Sequence, residues 1–538
     1  MKKFILLLLL AGFGVSYGQD LVLIRFTDKP SAPTYFSDPL LMLTQKALDR
    51  RAKYNIALDM LDVPVEESYV NQLTAAGIEP IQVSKWFNGI FAWCTAAQVS
   101  QAESFSFVDE VETFVNNFGK PATEHNISGP METKSSQKIT KTEELLSFDY
   151  GETETQIKQL KLDFLHDLGF TGEGISIAVL DNGFPGVNNK NGFAYIRNNG
   201  QIKETYNFVN HTEDVYNAGG THGTVVLSTI GGYIENEFVG TAIDADFYLF
   251  ITEDNSHEMP DEEVHWIAAA EMADYYGVDV INTSLGYSEY DDSKYDYVYD
   301  DMDGETTYIS RGAQFAADKG IMVVVSAGNS GNKQWHYITA PADAKDVFTI
   351  GAIDAYGIPA NFSSYGPTPD GRIKPDVMAM GVWATIINQN GNIDYSSGTS
   401  FSSPIMSGAM ACLIQAFPNF LPGELRQKVR ESASHYNNPT DQMGYGIPDF
   451  SEAYDKCLGV TDFDMNSVKV YPNPTSGVFK IDSEIPVHQL QLISFEGKIV
   501  RRYNSVSQLD ISDLPNGIYI LKVQLTNGKT EVKKIIKK

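Results

Sequence analysis

The amino-acid sequence predicts an α/β protein in three parts, and a separate pattern supports each part. From residue 153 to residue 457, short apolar strands alternate with helical stretches, which indicates a mostly parallel sheet covered by helices on both faces. Residues 19–118 mix strand and helix patterns and predict a small α+β domain. Residues 466–538 contain short alternating strands separated by turn signals, which predict a small β-sandwich.

The first part is expected to end in a linker. Its predicted strands are residues 21–26, 87–92 and 108–114, and its predicted helix is residues 96–103. Residues 119–146 are then rich in Lys, Thr, Ser and Glu, a composition typical of an exposed connection where proteases cut, and the connection is expected to run to residue 152. We therefore expect a linker with a processing site there.

The central part has candidate side chains at the ends of its strands. The predicted strands are residues 176–180, 245–251, 278–282, 321–326 and 347–352. The predicted helices are residues 221–230, 261–276, 309–319, 400–416 and 422–434. Ligands of parallel sheets bind beyond the carboxyl ends of the strands. Because Asp181 and the segment Ala327-Gly328-Asn329 follow strands directly, a site is expected around them.

Composition and the N-terminus exclude some classes of protein. With 538 residues, 43% hydrophobic and 20% charged, the chain is typical of a globular protein with several domains. Its formal net charge of −29 argues against nucleic acid, which binds basic surfaces. Residues 1–18 are typical of a secretory signal peptide, since Lys2 and Lys3 precede a short apolar run. No later segment approaches about 18 consecutive apolar residues, so no integral membrane segment is expected in the mature protein.

Cys94, Cys412 and Cys457 are too few cysteines for a disulfide framework. Cys412 lies in an apolar helical stretch and is interpreted as a small buried side chain. A Cys412–Cys457 disulfide stays open, because the sequence cannot give the distance that the bond requires.

Three short segments framed by glycine and threonine carry an aspartate, a histidine and a serine in that chain order. They are Asp181 in Asp-Asn-Gly, His222 in Gly-Thr-His-Gly-Thr and Ser400 in Gly-Thr-Ser-Phe-Ser-Ser-Pro. A serine hydroxyl needs a base to take its proton and an acid to orient that base. The set therefore predicts acyl transfer through a covalent serine intermediate, in one of the chain orders that build this geometry.

Each member of the set also has an ordinary structural interpretation. Asp-Asn-Gly is a common turn, a lone histidine is more often structural, and a serine at the start of a helix is usually a cap. In the functional interpretation, Asp181 orients His222, and His222 acts as the general base. Ser400 is then the nucleophile, at a helix N-terminus whose N–H groups suit a developing oxyanion.

Residues around Ser400 complete the expected site. Ser402 and Ser403 compete for the role of nucleophile, but they fit polar contacts of the first helical turn better. Pro404 is also expected in the first turn, where a residue needs no helical N–H partner. Asn329 is either a plain surface turn or an amide donor to the oxyanion, with the backbone N–H of Ser400 beside it.

Together these segments resemble the signatures of the subtilase family of serine endopeptidases. The Ser-Ala-Gly-Asn segment that ends at Asn329 and intervening stretches such as residues 280–286 resemble it too, so the similarity covers roughly residues 155–455. Asn182 stands where the family more often has serine or threonine. Ser402 stands where alanine is frequent, and both residues are expected to be tolerated.

The resemblance implies a subtilisin-like three-layer domain in which the substrate lies as an extra strand between two edge segments. These segments are Ser284-Leu285-Gly286 and Ser326-Ala327-Gly328. Main-chain pairing there would give affinity, and small residues would let the backbones approach. The alternative is that they are ordinary strand ends. No cofactor is implied for catalysis.

The two flanking parts have resemblances of their own. Residues 19–118 are similar to the subtilase propeptide, especially around residues 87–89, which implies an intramolecular inhibitor that is later removed. Residues 466–538 are similar to the C-terminal sorting domain of Bacteroidetes type IX secretion, through residues 470–475 and 514–519. This implies passage through the periplasm, recognition by the type IX machinery and a final location outside the cell or on its surface. A generic β-sandwich binding module is the alternative.

The metal content stays open. Residues 300–305 offer oxygen ligands suited to Ca²⁺, but they lack the spacing of a 12-residue calcium loop. A solvated loop and helix start is therefore favoured. Because many subtilases bind structural calcium, the resemblance leaves room for such a site elsewhere.

These observations predict a secreted serine endopeptidase that hydrolyses protein or peptide substrates. One alternative is a catalytically inactive subtilase fold used as a surface adhesin, since fold alone does not guarantee function. Another is a serine esterase or peptide ligase on the same scaffold, because other nucleophiles can intercept an acyl-enzyme. The side-chain specificity of cleavage does not follow from the sequence.

Overall fold

The structure is a computed structural model that describes residues 18–114, 148–458, 468–483, 486–494, 498–504, 508–526 and 530–538. It divides into two compact units, one that runs to Tyr454 and one from Asp455 to Lys538. Each unit is described by itself. The predicted signal peptide, apart from Gly18, and most of the predicted linker lie outside the described residues.

The N-terminal part of the first unit is a four-stranded antiparallel sheet with helices beside it. Its strands are β1 (Asp20–Phe26), β2 (Gln82–Ser84), β3 (Gly89–Cys94) and β4 (Val108–Thr113), in the spatial order β2-β3-β1-β4. Its helices are α1 (Ala32–Ser37), α2 (Gln45–Lys53), α3 (Glu67–Ala75) and α4 (Ala96–Glu103). The predicted α+β architecture is confirmed, although only α4 of these helices is predicted from the sequence.

Strand β1 is almost entirely apolar because both faces of its sheet are covered. Val22 and Ile24 belong to a cluster with residues of α3 and α4. The alternate residues Leu21 and Leu23 belong instead to a core shared with Trp266, far along the chain. Successive strand residues point to opposite faces. The second buried face therefore joins this part to the rest of the unit.

From residue 148 onward, strands and helices alternate. The strands are β5 (Ser176–Asp181), β6 (Ile202–Asn207), β7 (Tyr233–Ile234), β8 (Phe238–Val239), β9 (Asp246–Ile251), β10 (Val280–Thr283), β11 (Met322–Ser326), β12 (Phe348–Ile353), β13 (Val377–Met380), β14 (Ala384–Ile387) and β15 (Ile393–Ser396). The helices are α5 (Glu154–Lys158), α6 (Asp163–Asp167), α7 (Ala194–Asn198), α8 (His222–Gly231), α9 (Asp261–Tyr276), α10 (Tyr308–Asp318), α11 (Thr399–Ala416), α12 (Pro422–Glu431) and α13 (Phe450–Cys457). Within the described ranges, no helix has the length and apolar character needed to cross a membrane.

Seven of these strands form one parallel sheet, in the order β13-β12-β11-β10-β5-β9-β6. Helices α9 and α10 pack on one face and share a core with it, while α8 and α11 pack on the other. The central strands are buried along their whole length because helices cover both faces. The predicted three-layer α/β domain is confirmed.

The neighbouring strands β5, β10 and β11 position the candidate site. Asp181 is the last residue of β5, Ser284 follows β10, and Ser326 ends β11. Thr283, the last residue of β10, is in register with the penultimate residues of both neighbours. Since the three strands are parallel, their carboxyl ends lie side by side at one edge of the sheet.

The second unit is a small β-sandwich, as the sequence predicts. Its strands are β16 (Val468–Tyr471), β17 (Val478–Ser483), β18 (Val487–Ser494), β19 (Ile499–Asn504), β20 (Gln508–Asp510), β21 (Gly517–Leu525) and β22 (Thr530–Lys537). One sheet has the order β16-β17-β20 and the other β19-β18-β21-β22. Phe479 and Leu509 of the first sheet share an apolar core with Leu490 and Leu521 of the second. The basic end of the chain forms the last strand, paired antiparallel with β21.

The three cysteines are buried thiols, and no disulfide joins Cys412 to Cys457. Burial raises the pKa of Cys94 to about 11 and raises that of Cys412 further. Since the thiolate is the reactive form, these two side chains are inert at neutral pH.

Helix α11 is expected to lose stability when Gly408 gains a methyl group. A Cβ at Gly408 would stand 1.9 Å from Oγ1 of Thr241, far inside van der Waals contact. Overpacking of this kind costs about 1–3 kcal/mol, and alanine regains at most about 1 kcal/mol through its helix propensity. We expect Gly408→Ala to lower the melting temperature measured by circular dichroism.

Gly423→Ala is the matched control. Gly423 lies in the first turn of α12, and no atom stands within 4 Å of its Cβ position. That variant should keep or raise the melting temperature, because alanine restricts the unfolded chain. A Gly408→Ala protein that melts with the parent chain would contradict the close packing against Thr241.

Candidate active site

Asp181 and His222 form a hydrogen-bonded pair at the carboxyl end of β5. Asp181 is fully buried, and His222 is the first residue of α8. Nδ1 of His222 lies 2.8 Å from Oδ1 and 3.0 Å from Oδ2 of Asp181. An ionised carboxylate can only accept a hydrogen bond, so Nδ1 carries the hydrogen and Nε2 keeps a lone pair. The structure thus orients the imidazole as a proton acceptor.

Asn182 caps the helix that carries His222. Thr221, at the N-cap position, makes no side-chain cap hydrogen bond. Instead, Oδ1 of Asn182 accepts from the N–H of His222 at 3.0 Å and from that of Gly223 at 3.4 Å. The first N–H groups of a helix otherwise lack partners. Asn182 therefore aligns α8 with Asp181, a role that sequence reasoning missed when it treated this residue only as a tolerated variant.

Glycines bring the segments around Asp181 and His222 into contact. A Cβ at Gly223 would stand 2.6 Å from the carbonyl oxygen of Gly183 and 3.0 Å from Cβ of Asp181. Gly219 has a φ of 77°, and a Cβ there would stand 1.9 Å from the carbonyl oxygen of Asn182. Glycine alone permits this backbone conformation at so short a distance without strain. The glycine framing of His222 therefore reflects close backbone packing.

Ser400 is the second residue of α11 and is buried. Its Oγ donates to the carbonyl oxygen of Ser284 at 3.3 Å. The ring of the next residue, Phe401, lies 6.1 Å from the ring of His222, centre to centre. The structure thus brings the start of α11 beside the imidazole, while the Ser400 hydroxyl is bonded to Ser284.

Pro404 lies deeper in α11 than the sequence indicates. The helix begins at Thr399, so Pro404 is its sixth residue, and the expectation of a first-turn proline is wrong. Proline has no N–H, so the carbonyl four residues earlier, that of Ser400, loses its helical partner. Oγ of Ser284 donates to this carbonyl at 3.0 Å. Ser284 and Ser400 are therefore joined by two reciprocal hydrogen bonds.

The two competing serines are engaged inside the packing of α11. Oγ of Ser402 donates to the carbonyl oxygen of Thr399 at 3.0 Å. Oγ of Ser403 donates to Oδ1 of Asn282, on β10, at 3.1 Å. Both side chains are fully buried, which leaves Ser400 as the candidate nucleophile.

Asn329 follows β11 and holds the start of α11. Its Oδ1 accepts from the N–H of Thr399 at 2.9 Å and from the Thr399 hydroxyl at 3.1 Å. Its Nδ2 lies 3.7 Å from the Cβ position of Gly398, next to the helix start. Because the amide oxygen is held by two donors, Nδ2 is the end of this exposed side chain left for a ligand.

The two segments expected to pair with a substrate lie next to each other. Oγ of Ser326 donates to the carbonyl oxygen of Leu285 at 3.4 Å. Thr339 lies against both segments, since its Oγ1 stands 2.1 Å from the Cβ position of Gly286 and 3.0 Å from that of Gly328. This hydroxyl is buried and has no hydrogen-bond partner among the described residues. No local sequence signal marks Thr339, which becomes a neighbour of the site only on folding.

Opposing effects set the pKa of His222. Burial lowers the pKa of the imidazole, but the charge of Asp181 and the hydrogen bond to it raise it, and the net pKa lies above the usual 6.5. Glu253 acts in the same direction when it is ionised. Burial in turn raises the pKa of Glu253, whose Oε1 accepts from the hydroxyl of Tyr287 at 2.6 Å. The site therefore stabilises the protonated form of His222, which is the form that a histidine takes when it acts as a general base.

The acidic run at residues 300–305 is a capped loop. Oδ1 of Asp303 accepts from the N–H groups of Glu305 and Thr306, and Oδ2 accepts from the Thr306 hydroxyl. These are the contacts of a turn before a helix, which the sequence favours over a calcium loop. Among the described residues, there is no cluster of three or more His, Cys, Asp or Glu side chains that could hold a metal ion.

Comparison with protein families matches all three parts of the chain. Residues 172–446 match the subtilase family, and residues 21–128 match the peptidase S8 propeptide domain of Bacteroidota. Residues 469–538 match the secretion system C-terminal sorting domain. The three resemblances that the sequence motifs indicate are confirmed.

Individual relatives are similar at modest identity. Subtilisin NAT from Bacillus subtilis subsp. natto is 27% identical over 292 residues, which cover 52% of this chain and 66% of the relative. Serine protease AprX from Bacillus subtilis is 27% identical over 315 residues, which cover 53% and 67%. Subtilisin-like protease SBT6.1 from Arabidopsis thaliana is 28% identical over 346 residues, which cover 61% and 30%. The chain thus spans about two thirds of the length of the two bacterial relatives.

Two solved structures are similar in part. The crystal structure of MycP1 with the N-terminal propeptide removed has 22% identity and a TM-score of 0.45, and the match covers 56% of this chain and 96% of that chain. The structure of the prenylagaramide maturation protease PagA has 22% identity and a TM-score of 0.42, and the match covers 55% and 98%.

The match to the subtilase family covers just over half of the 538 residues. It includes β5, α8 and α11, which hold Asp181, His222 and Ser400, and the segment after β11 that holds Asn329. The chain therefore belongs to the subtilase family.

Proposed function

We propose that this protein is an exported serine endopeptidase that cleaves peptide bonds through an acyl-enzyme. The observation that carries the proposal is the hydrogen-bonded pair of Asp181 and His222, beside which α11 presents Ser400. Membership of the subtilase family supports the same activity.

In the proposed reaction, Ser400 attacks the scissile carbonyl carbon while Nε2 of His222 takes the hydroxyl proton. Asp181 holds the Nδ1 hydrogen and stabilises the imidazolium that forms. The imidazolium then gives its proton to the leaving amine. Water next attacks the acyl-enzyme in the same way, with His222 as its base, and releases the carboxylic acid. The raised pKa of His222 favours the first proton transfer, because a stronger base captures the proton more readily.

Attack requires the Ser400 hydroxyl to turn away from Ser284. The present hydrogen bond, at 3.3 Å, is long for an O–H···O contact and therefore weak. Catalytic hydrogen bonds are often loose in apo sites and tighten with substrate. A substrate N–H that bonds to the Ser284 carbonyl would displace the hydroxyl and leave it to His222.

The negative charge on the substrate carbonyl oxygen would be met by two donors. One is Nδ2 of Asn329, whose amide is fixed through its oxygen by Thr399. The other is the backbone N–H of Ser400, in the first turn of α11, where the helix dipole also favours negative charge.

The substrate main chain is proposed to lie between Ser284-Leu285-Gly286 and Ser326-Ala327-Gly328. Both segments lie at the carboxyl ends of adjacent parallel strands, so their backbones lie side by side at that edge of the sheet. Main-chain pairing of this kind gives affinity for protein substrates with little dependence on their sequence.

We further propose that the flanking parts control maturation and export. Residues 19–118 would act as the inhibitory propeptide, in line with the match of residues 21–128 to that family. Residues 466–538 would direct the protein through the type IX machinery after transit of the periplasm, in line with the match to the sorting domain. The final location would be the cell surface or the medium.

Ser400→Ala should abolish both peptide hydrolysis and self-processing. Without the hydroxyl there is no nucleophile, and in subtilisin the loss of this group lowers turnover by roughly 10⁶-fold. The measurements are casein digestion and the mass of the purified chain after incubation. Ser402→Ala is the matched control, because Ser402 bonds only within its own helical turn. Its activity should stay within a few-fold of the parent, and near-normal hydrolysis by Ser400→Ala would sink the assignment.

Asn329→Ala should lower kcat by about 10²–10³-fold with little change in KM, since an oxyanion donor acts mainly in the transition state. Asn329→Asp keeps an oxygen for Thr399 but has no amide donor, so it should be at least as slow. Steady-state kinetics on a peptide substrate measure both variants. A normal kcat for Asn329→Asp would show that the amide donor is not used.

The acid limb of kcat/KM should have an apparent pKa above 6.5. Catalysis needs neutral His222, whose pKa is raised by Asp181, so activity is full at higher pH and falls about tenfold per unit as the pH drops below that pKa. Asp181→Asn removes the charge, so the acid limb should move to lower pH while kcat falls about 10⁴-fold. An acid limb that stays in place in Asp181→Asn would rule out the pairing as its cause.

A further inference from the structure

Trp383 combines a strained backbone with an exposed indole. It ends the connection between β13 and β14, residues 381–383, which we call the tryptophan turn. The side chain is 68% exposed, and φ is 53°, in the left-handed region that bulky residues rarely adopt. The other non-glycine residues with positive φ among the described residues are three asparagines, one lysine and one histidine. Within that set, Trp383 has the bulkiest side chain.

Folding alone does not explain this strain. Glycine would adopt the same conformation without penalty, and burial of an aromatic ring is the usual contribution that would offset it. Trp383 gains little of that burial, since no aromatic ring among the described residues packs on it and its indole N–H has no hydrogen-bond partner among them. Strain that the fold does not offset is typical of functional sites. The indole is thus available to a partner outside the chain.

The tryptophan turn is tied to the segment that leads into the candidate nucleophile. The N–H of Trp383 donates to Oγ of Ser397 at 2.9 Å. The N–H of Gly398, the next residue, donates to the carbonyl oxygen of Gly381 at 2.8 Å. Ser400 follows two residues later, in the first turn of α11. Two hydrogen bonds therefore fix the position of the turn relative to the start of this helix.

The same contact reaches the proposed oxyanion donors. A Cβ at Gly398 would stand 3.7 Å from Nδ2 of Asn329 and 3.7 Å from the backbone nitrogen of Ser400. A Cβ at Gly381 would stand 2.8 Å from the carbonyl oxygen of Gly398, so the two backbones are in close contact. The tryptophan turn therefore lies next to the place where the substrate carbonyl is proposed to bind.

The order of the sheet puts the turn on one side of that place. The proposed acyl part of the substrate lies at the ends of β10 and β11, and β12 and β13 follow β11 on the side away from β10. Since all four strands are parallel, the turn after β13 lies at the same carboxyl edge. A substrate whose acyl part occupies the first two strand ends continues past the start of α11, and the tryptophan turn borders that path.

The indole is within reach of the residues that follow the scissile bond. Ser397, whose hydroxyl holds the Trp383 N–H, precedes Ser400 by three residues, which span at most about 11 Å. An extended substrate advances about 3.3 Å per residue. The first three residues of the leaving peptide are therefore the ones that can contact the indole.

We propose that Trp383 is a specificity-determining residue that binds the leaving-group side of the substrate. It favours a protein or peptide with a large apolar side chain, aromatic or aliphatic, within the first three residues after the scissile bond. The proposal rests on the proposed function, because it needs a peptide bond held at Ser400.

A neighbouring turn makes the edge around Trp383 apolar. Tyr356 and Ile358, in the turn after β12, are 88% and 59% exposed. The carbonyl oxygen of Ile353, the last residue of β12, accepts from the N–H groups of Gly381 and Val382, so this turn begins beside the tryptophan turn. Exposed apolar surface of this kind marks binding sites. It favours an apolar side chain over a cation, which is the other ligand that an indole attracts.

The test is the cleavage of a synthetic peptide library by the self-processed protein. Mass spectrometry of the products reports the residues on both sides of each cut. In the parent chain, large apolar residues should be enriched at one of the first three positions after the cut. Trp383→Gly should abolish this enrichment and leave the residues before the cut unchanged. For a peptide with the favoured residue, kcat/KM should fall about fivefold or more, as for truncation of an interface tryptophan.

Two further substitutions at the same position support the reading of this result. Trp383→Phe keeps an aromatic ring and should restore most of the enrichment. Trp383→Asn also removes the ring, and asparagine tolerates the left-handed conformation, so it gives the same test if the glycine variant fails to fold. Far-UV circular dichroism reports folding of each variant.

Tyr275→Ala is the matched control for loss of an exposed aromatic side chain. Tyr275 is 41% exposed in the last turn of α9, which leads into β10 at the opposite edge of the sheet. Its removal should change neither the enrichment nor kcat/KM by more than about threefold, because surface substitutions away from a site have small effects.

The outcomes separate this inference from the proposed function. A parent chain that cleaves peptides without apolar enrichment after the cut, or with enrichment of Lys and Arg there, would overturn the inference alone. So would enrichment that persists in folded Trp383→Gly or Trp383→Asn. A p-nitroanilide peptide has no residue after the scissile bond, so its cleavage tests the proposed function without Trp383. Failure of the parent chain to cleave any of these substrates would refute both.

Discussion

The architecture of the candidate site depends on the hydrogen bond between a fully buried carboxylate, Asp181, and the imidazole of His222. A buried charge is tolerated only when it is paired and hydrogen-bonded. This requirement brings the end of β5 against the start of α8, and the glycines around both residues make the approach sterically possible. Asn182 then supplies the cap that the helix start lacks. The need to pair the buried charge of Asp181 thus accounts for the close approach of the end of β5 and the start of α8.

A missing backbone donor shapes the other half of the site. Pro404 takes a hydrogen bond away from the carbonyl of Ser400, and Ser284 replaces it from the end of β10. The exchange ties the helix that bears the candidate nucleophile to the strand edge where a substrate would pair. The same two serines therefore fix the start of α11 and engage the hydroxyl of the candidate nucleophile, since the Ser400 hydroxyl also donates to the carbonyl of Ser284.

Sequence reasoning succeeds where the signal is local. Helix α9 is predicted to its first and last residues, and the segments around Asp181, His222 and Ser400 are recognisable because glycines and threonines frame them. It fails where partners are distant in the chain. Helix α2 is not predicted from the sequence, and only the fold reveals that its arginines are buried against a carboxylate on α9. Thr339 carries no motif at all, and the placement of Pro404 depends on a helix start that is one residue earlier than expected.

Aromatic rings of the N-terminal part cover a flank of α10. Phe114 stacks on Tyr308 with ring centres 4.0 Å apart, and Phe87 packs edge-on against Phe315. Departure of that part would leave Tyr308, Phe315 and their apolar neighbours wetted by solvent. The matured domain would then expose an apolar surface, of the kind that drives self-association or adhesion to surfaces. Colloidal stability would then depend on the excess of acidic residues in the chain, because repulsion between like charges keeps such patches apart.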